Sequence, residues 1–189
     1  AALKLLPSSK SKLIKYAAKE IIDGKYDDQF PLDIFQTGSG TSTNMNANEV
    51  MATIASKKGK TSIHPNDDVN MSQSSNDVIP TAIHISALLD VEKLLLPSLK
   101  SLINQIKSKE LKVKGVVKTG RTHLMDAMPI DMAQELSGWA AQLSDQCKQI
   151  KLAADGLKSL PQGGTAIGTG INAPKNFGKI FATEVSKIT

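Results

Sequence analysis

Several segments of the chain combine hydroxyl, amide and imidazole side chains at spacings that could bind a carboxylate. The first, residues 36–46, contains Gly38 and Gly40 within a run of Ser, Thr and Asn residues. Closely spaced glycines let the backbone approach a ligand, and hydroxyls and amides can donate hydrogen bonds to an anion. The segment leads into a predicted helix, whose N-terminal amides favour negative charge. Two interpretations stay open at this point, an anion cradle or a loop that caps a helix.

Residues 64–68 read His-Pro-Asn-Asp-Asp and place an imidazole beside two carboxylates. This composition could ligate a metal, but no further His or Cys stands nearby in the sequence. The pattern therefore favours a turn fixed by Pro65 and Asn66, and we predict no metal site.

Two further polar segments and a glycine-rich stretch, residues 162–170, follow. Residues 72–77 are all polar, and helix capping explains only one or two of them. Residues 119–123 end in Thr122 and His123, in a predicted loop that suits an imidazole that handles protons. His84 falls inside a predicted helix and is interpreted as a packing or surface residue.

Composition excludes several classes of protein. A chain of 189 residues, 40% hydrophobic and 22% charged, has the length of one soluble domain or slightly more. No apolar run approaches the roughly 18 residues that a membrane span needs. The single cysteine, Cys147, excludes an internal disulfide framework and fits a reducing compartment, so we expect a cytoplasmic protein.

The net charge of +5 could indicate nucleic acid, but only one of the 23 basic residues, Arg121, is an arginine. Arginine forks are the usual readers of phosphates and guanine edges. The lysines are scattered without interleaved aromatic residues, which favours a solvated lysine surface. We predict no nucleic-acid partner.

Apolar periodicity predicts a mainly α fold. Helices are expected over residues 10–23 and 46–58, and a long one from near Asp77 that Pro97 bends or breaks near its middle. Its apolar residues are too many for one stripe, so we expect burial on more than one side. A second long helix should open at Pro129 and run to about residue 158, and a third should start after Asn172. Only residues 113–119 suggest a short strand.

Long helices of this kind are typical of an elongated bundle. The predicted domains are residues 1–72, a smaller, mostly helical region, and residues 73–189, the beginning of a central long-helix bundle. The residues thus favour a polar anion site on a helical scaffold. They leave the reaction open, although a covalent hydrolase is disfavoured because no Gly-x-Ser-x-Gly elbow is present.

The polar segments together resemble the fumarase/aspartase superfamily, and its class II fumarase branch in particular. The matching motifs occur in the family's order and spacing and cover nearly the whole chain: residues 38–46, 64–70, 72–77, 120–123 and 163–170. Within the superfamily, Thr122-His123, Ser74-Ser75-Asn76-Asp77 and residues 80–84 resemble fumarase more closely than aspartase. The resemblance implies a fumarase/aspartase-like fold with a central bundle of five long helices, of which about three are expected here.

The resemblance also implies roles for individual residues. His123 is the expected catalytic imidazole, which handles the water molecule. The residues expected to bind or shape the dicarboxylate site are Ser39, Gly40, Thr41, Asn44, Ser74, Ser75, Asn76 and Thr122. The residues expected to form a secondary dicarboxylate site are His64, Pro65, Asn66 and Asp67, although Thr61 and Ser62 stand where family members often have an arginine.

The activity implied is the reversible anti hydration of fumarate to L-malate in the tricarboxylic acid cycle, without a cofactor. Removal of the C3 proton of malate would leave an aci-carboxylate that hydroxyl and amide donors stabilise. Family members form a homotetramer whose sites combine residues from three subunits. Their serine base and a substrate-binding lysine lie on a mobile loop expected beyond residue 189, so we expect this chain alone to be inactive.

Two other functions remain as alternatives. The first is aspartase or another fumarate-releasing lyase of the same superfamily. The second, of a different class, is a non-catalytic helical segment that only assembles into a bundle.

Overall fold

A computed structural model describes residues 3–36 and 38–189. This part of the chain is mainly helical, as predicted, with one two-stranded sheet. The α-helices are α1 (Ser8–Ile22), α2 (Thr41–Gly59), α3 (Ser75–Asp90), α4 (Leu96–Lys112), α5 (Met132–Gly156) and α6 (Phe177–Val185). The strands are β1 (Val117–Thr122) and β2 (Met125–Asp131). Short 3-10 or π-helical turns cover Asp27–Gln29, Pro65–Val69 and Val91–Leu95.

The chain divides into two compact units. The first consists of residues 1–83 and 160–189, and the second of residues 84–159. The division falls within α3, between Ile83 and His84. The predicted domains, 1–72 and 73–189, differ in extent from these units and stay a prediction.

The core of the first unit lies between α1 and α2. Its buried residues are Ala17, Ala52, Ile54, Ala55 and Ile63, with Leu13 and Ile21 packed against them. Alanines at Ala17 and Ala55, both 0% exposed, let the two helix backbones approach closely. The helices predicted over residues 10–23 and 46–58 are therefore confirmed. α2 begins earlier than expected, at Thr41, because the polar run from Thr41 to Asn46 is itself helical.

An ion pair joins α1 to the Pro65–Val69 turn. Lys10 Nζ lies 2.6 Å from Asp68 Oδ2, and that oxygen also accepts a hydrogen bond from the backbone N–H of His64 at 2.9 Å. The Asp68 side chain is only 12% exposed. Burial alone would raise the pKa of Asp68, but the hydrogen bonds from Lys10 and His64 outweigh it and lower this pKa below its ordinary value.

We predict that Asp68→Asn lowers the free energy of unfolding at pH 7 by about 1–2 kcal/mol, since hydrogen bonds to charged groups are the stronger ones. A lowered folded-state pKa contributes stability above the unfolded-state value of about 3.9. That contribution is lost progressively as pH falls from about 3.9 through the lower folded-state pKa of Asp68, so the difference between variant and wild type should shrink below about pH 4. Denaturant unfolding of the full-length protein from pH 7 to pH 3 measures it. Asp145→Asn, which breaks an exposed pair with Lys148, should change little.

The second unit contains a helical run that is continuous from α3 through the Val91–Leu95 turn into α4. Pro97 lies in the first turn of α4, directly after this π-helical turn, which confirms a local break in regular α-helix near the predicted position. α4 packs against α5. His84 Nδ1 donates to the backbone oxygen of Ser159 at 2.9 Å, which joins the first and last residues of the unit.

The expected burial of this helical run on more than one side is wrong for the described chain. Ile83, Leu94 and Leu102 are 58%, 62% and 45% exposed. Trp139 on α5 is 51% exposed and lines an apolar groove of about 940 Å³ between α4 and α5, together with Leu102 and Ile106. The apolar pattern thus extends over faces that no other described segment of the chain covers.

Strands β1 and β2 form an antiparallel hairpin that corrects two predictions. The single strand predicted over residues 113–119 is instead Val117–Thr122, with a partner that the sequence pattern did not indicate. The helix predicted to open at Pro129 begins at Met132, because Pro129 pairs with Thr119 inside β2. In a two-stranded sheet every strand is an edge, where proline is tolerated. Asp131 then caps α5 through a capping box with Gln134.

The third predicted helix also starts later than expected. Pro174 precedes it, accepting a hydrogen bond from the N–H of Phe177, and α6 begins only at Phe177. Among residues 3–36 and 38–189, none of the helices is both long and apolar enough to cross a membrane. Cys147 is a free, partly buried thiol.

Candidate functional site

The loop before α2 approaches α3 closely at Gly40. Its φ of +64° lies in the left-handed region, and a Cβ added there would stand 2.9 Å from Ile79 Cγ1. Both the backbone conformation and the space therefore require glycine. Ser39 Oγ and Thr41 Oγ1 lie 2.9 Å apart on the surface of this loop. The amide of Thr43 in the first turn of α2 donates to the side chain of Gln36 at 3.2 Å, so Gln36 serves as the cap.

A buried amide connects α2 to the start of α3. Asn44 is 6% exposed, and its Nδ2 donates to Ser75 Oγ at 3.1 Å and to Asn70 Oδ1 at 3.3 Å. Ser75 is itself only 8% exposed. The structure therefore brings two of the predicted binding residues, Asn44 and Ser75, into direct contact across 31 residues of sequence.

Ser74, Asn76 and Asp77 organise the N-terminus of α3. Ser74 Oγ accepts the N–H of Asn76 at 3.2 Å, and the N–H of Ser74 donates to Asp77 Oδ1 at 2.9 Å. These reciprocal bonds resemble a capping box, in which a side chain three residues on reaches back to the cap residue. Asn76 is exposed, and its Nδ2 donates to the backbone oxygen of Ala166 at 2.8 Å. Asn76, one of the predicted binding residues, thus contacts the glycine-rich stretch, and Ser74 is joined to Asn76 and Asp77.

The sequence prediction missed a central role for Asp77 in this arrangement. Its side chain is buried, with the residue 1% exposed, and Oδ2 accepts the N–H groups of Gly163 at 3.0 Å and Thr165 at 2.9 Å. A polar residue three positions after Ser74 is a capping signal that the sequence does carry. No residue type in the sequence identifies the glycine-rich stretch as the partner of Asp77, because the groups that donate to Asp77 there are backbone amides.

His64 begins the Pro65–Val69 turn, as the turn interpretation predicted. Its Nδ1 accepts the N–H of Asp67 at 3.1 Å, so Nε2 is the ring nitrogen that can donate to an anion. The side chains of His64 and Asp67 are 58% and 76% exposed, and Asn66 also lies on the surface. A secondary dicarboxylate site at His64, Pro65, Asn66 and Asp67 stays a prediction.

Thr122 and His123 lie in the second unit, at the tip of the β1–β2 hairpin. Thr122 ends β1 opposite Met125, and His123 and Leu124 form the two-residue turn with φ values of +50° and +64°. Positive φ at both positions is the geometry of the tight turns that fit the strand twist. Both Thr122 and His123 are exposed, and Arg121 pairs with Asp126 at 3.2 Å.

The site residues thus form two groups, each described within its own unit. The first unit brings together the loop around Gly40 and Thr41, the buried Asn44–Ser75 pair, and Ser74 and Asn76 beside residues 163–166. The second unit presents Thr122 at the end of β1 and His123 in the hairpin turn. In residues 3–36 and 38–189 there is no cluster of three or more His, Cys, Asp or Glu residues that could hold a metal ion. Chemically, the first group is a set of hydroxyl and amide donors suited to carboxylate oxygens.

Comparison with known proteins places this chain in a family. A sequence model described as lyase matches residues 1–189. A class II fumarate hydratase from Xylella fastidiosa is 53% identical over 189 residues, which cover 100% of this chain and 40% of that protein. One from Mycobacterium tuberculosis is 54% identical over 176 residues, 93% of this chain and 37% of that protein. This chain spans about two fifths of the length of these curated relatives.

Solved structures agree. A class II fumarase from Schistosoma mansoni has a TM-score of 0.92 at 42% identity, over 98% of this chain and 41% of that one. A fumarate lyase/delta crystallin from Brucella melitensis has a TM-score of 0.89 at 40% identity, over 98% and 42%. The fold class and the family resemblance expected from the sequence are confirmed, and this chain belongs to the lyase family, with class II fumarate hydratases as relatives along its length.

Proposed function

We propose that the full-length protein is a fumarate hydratase that interconverts fumarate and L-malate without a cofactor, as part of the tricarboxylic acid cycle in the cytoplasm. The observation that supports this most is the cluster of donors at the start of α3, where Ser74, Ser75 and Asn76 are held between α2 and the glycine-rich stretch. The similarity of the chain to a relative named class II fumarate hydratase, at 53% identity over 189 residues, supports this reaction.

Substrate binding in this proposal uses hydroxyl and amide hydrogen bonds to the two carboxylates. Ser74, Ser75 and Asn76 lie in the first turn of α3 or directly before it, where the helix dipole also favours an anion. Thr41 begins α2 and adds a second hydroxyl at a helix N-terminus. Ser39, Gly40 and Asn44 shape the site, Gly40 by admitting the close approach of the loop to Ile79.

The chemical step begins with removal of the C3 proton of malate, which leaves a carbanion whose charge spreads into the adjacent carboxylate. Donors already aimed at that carboxylate stabilise the developing charge without reorganising, which is usually the largest catalytic contribution. Hydroxide then leaves with a proton supplied through the imidazole of His123. Thr122, the residue before His123, is a further substrate ligand in this proposal.

We further propose that the full-length protein is a homotetramer in which each site combines residues of three subunits. The apolar groove of α4 and α5, with Leu102 and Trp139 exposed, supports such an assembly, because adjacent apolar side chains left exposed often mark interaction surfaces. Composite sites would also bring His123 of one subunit to the α3 donors of another. Sedimentation equilibrium of the full-length protein measures the assembly, and a monomeric protein would contradict it.

The decisive experiment follows fumarate absorbance at 240 nm with the purified full-length protein. We expect absorbance to fall with fumarate and rise with L-malate, equally well after dialysis against a chelator. Release of fumarate from L-aspartate but not from L-malate would assign the aspartase reaction instead. The 189-residue chain is the matched control and should give no signal, since it spans only about two fifths of the length of its curated relatives.

A further inference from the structure

We propose that Asp77 is a positioning residue for the dicarboxylate site, a role that rests on the proposed function. Asp77 lies one residue after Asn76, but its carboxylate points away from solvent, with the residue 1% exposed. It is among the largest fully buried side chains in the described chain. A buried carboxylate needs hydrogen bonds to replace those of water, and its partners show what it organises.

Three backbone N–H groups donate to this carboxylate. Ser74 donates to Oδ1 at 2.9 Å, and Gly163 and Thr165 donate to Oδ2 at 3.0 and 2.9 Å. Ser74 is a neighbour in sequence, whereas Gly163 and Thr165 are 86 and 88 residues away. The carboxylate therefore joins two distant backbone segments through one rigid, planar group.

The segment that Asp77 contacts has an unusual backbone conformation. Gly163 and Thr165 have φ values of +102° and +55°, and a threonine in the left-handed region is uncommon. This conformation turns both N–H groups toward Oδ2. Asn76, a predicted substrate ligand, then donates to Ala166 in the same segment.

The consequence is that Asp77 fixes the direction of its neighbours' functional groups. Through Oδ1, Asp77 fixes the backbone of Ser74. Through Oδ2, it fixes Thr165 and thereby the next residue, Ala166, whose carbonyl accepts the amide of Asn76. Misplacing catalytic or binding groups by about 1 Å can cost a reaction about 100-fold. Asp77 touches none of the reacting atoms in this proposal and acts only through Ser74 and Asn76.

The substitution Asp77→Asn in the full-length protein tests this positioning role with a side chain of nearly the same shape. An ionised carboxylate only accepts, whereas the amide nitrogen of asparagine faces an N–H donor and loses at least one of the bonds. We expect kcat/KM for L-malate to fall about 100-fold, with KM raised and kcat lowered. Hydrogen exchange of the peptide covering residues 162–168 should accelerate at the same time.

The control separates positioning from a loss of stability. Ile54→Ala opens a cavity in the α1–α2 core, far in sequence from residues 162–168, and should lower Tm while leaving kcat and KM within about twofold. Asp77→Asn with wild-type kcat and KM, or with unchanged exchange at residues 162–168, would overturn the proposal. If Asp77→Asn does not fold, Asp77→Glu decides, and we expect kcat/KM about tenfold lower because one added methylene displaces both segments. Wild-type kcat/KM in Asp77→Glu would overturn the proposal.

Failure of the proposed function gives a different result. In that case the wild-type full-length protein itself leaves both fumarate and L-malate unchanged. The positioning role is then judged on hydrogen exchange alone. Faster exchange of residues 162–168 in Asp77→Asn but not in Ile54→Ala supports it, and equal exchange in both overturns it.

Discussion

Replacing His123 by asparagine should lower kcat for L-malate by about 100- to 10,000-fold in the full-length protein, the usual contribution of general acid–base catalysis. The imidazole is proposed to pass a proton to the departing hydroxide, and an amide cannot do so at neutral pH. Asparagine is the informative choice because His123 has a φ of +50°, a region in which Asn is several-fold enriched. The hairpin should therefore keep its turn, and the loss reports chemistry rather than backbone strain.

The matched control for this experiment is His84→Asn. His84 is also a histidine of the second unit, but its ring is engaged with the carbonyl of Ser159. We expect its kcat to stay within about twofold of wild type, because a single lost hydrogen bond changes stability by only about 1 kcal/mol. Steady-state kinetics at 240 nm measures both variants. A kcat for His123→Asn within fivefold of wild type would contradict the assignment of the imidazole.

The second large effect is expected from Gly163→Ala, which should destabilise the protein by about 2–5 kcal/mol. Positive φ costs an alanine roughly 1–2 kcal/mol, and a clash in a close-packed site adds about 1–3 kcal/mol. Both apply here, since φ is +102° and the added Cβ would stand 2.9 Å from Gly178 Cα and 3.0 Å from Gly178 N. These are backbone atoms, which cannot move aside as a flexible side chain would.

Gly168→Ala separates the two contributions. Gly168 lies in the same stretch and has a φ of +87°, but its added Cβ would meet nothing within 4 Å. We therefore expect only the conformational cost of about 1–2 kcal/mol. Calorimetry of the full-length variants should give the lower Tm for Gly163→Ala, together with a lower kcat/KM. Equal Tm values for the two variants would show that the contact with Gly178 is not limiting.

The local sequence pattern predicted α1 and α2 well, because the apolar residues that pack each helix recur at helical spacing within one or two turns. The hairpin was missed for a physical reason. Strand β2 has nearly all its side chains exposed and therefore carries no alternating pattern, and Pro129 indicated a helix start. The turn residues of the hairpin, His123 and Leu124, are not the Asn-Gly pair that predicts a two-residue turn. Pairing with β1 decided the structure there, not local preference.

The site shows the same division between local and distant information. Residue types singled out the polar run of residues 72–77, which the structure places at and just before the start of α3. The binding roles of Ser74, Ser75 and Asn76 came from the family resemblance and stay a prediction. The partners of Asp77 could not be predicted, because Gly163 and Thr165 contribute backbone amides that any residue possesses. The apolar periodicity of residues 77–106 indicated burial, yet the described part of the chain leaves much of it exposed. Periodicity identifies an apolar face but not the molecule that covers it.

The bond between His84 and Ser159 has a consequence for the order in which the protein folds. In an open chain, bringing Asp77 to Gly163 closes a loop of 86 residues, at a cost of about 4 kcal/mol in chain entropy. Once residues 84–159 have folded, their two ends are already adjacent at the His84–Ser159 bond. Only the short connections from Asp77 to His84 and from Ser159 to Gly163 then remain to be ordered. Folding of the second unit therefore removes most of this entropy cost, and we expect the glycine-rich stretch to contact Asp77 after that unit has formed.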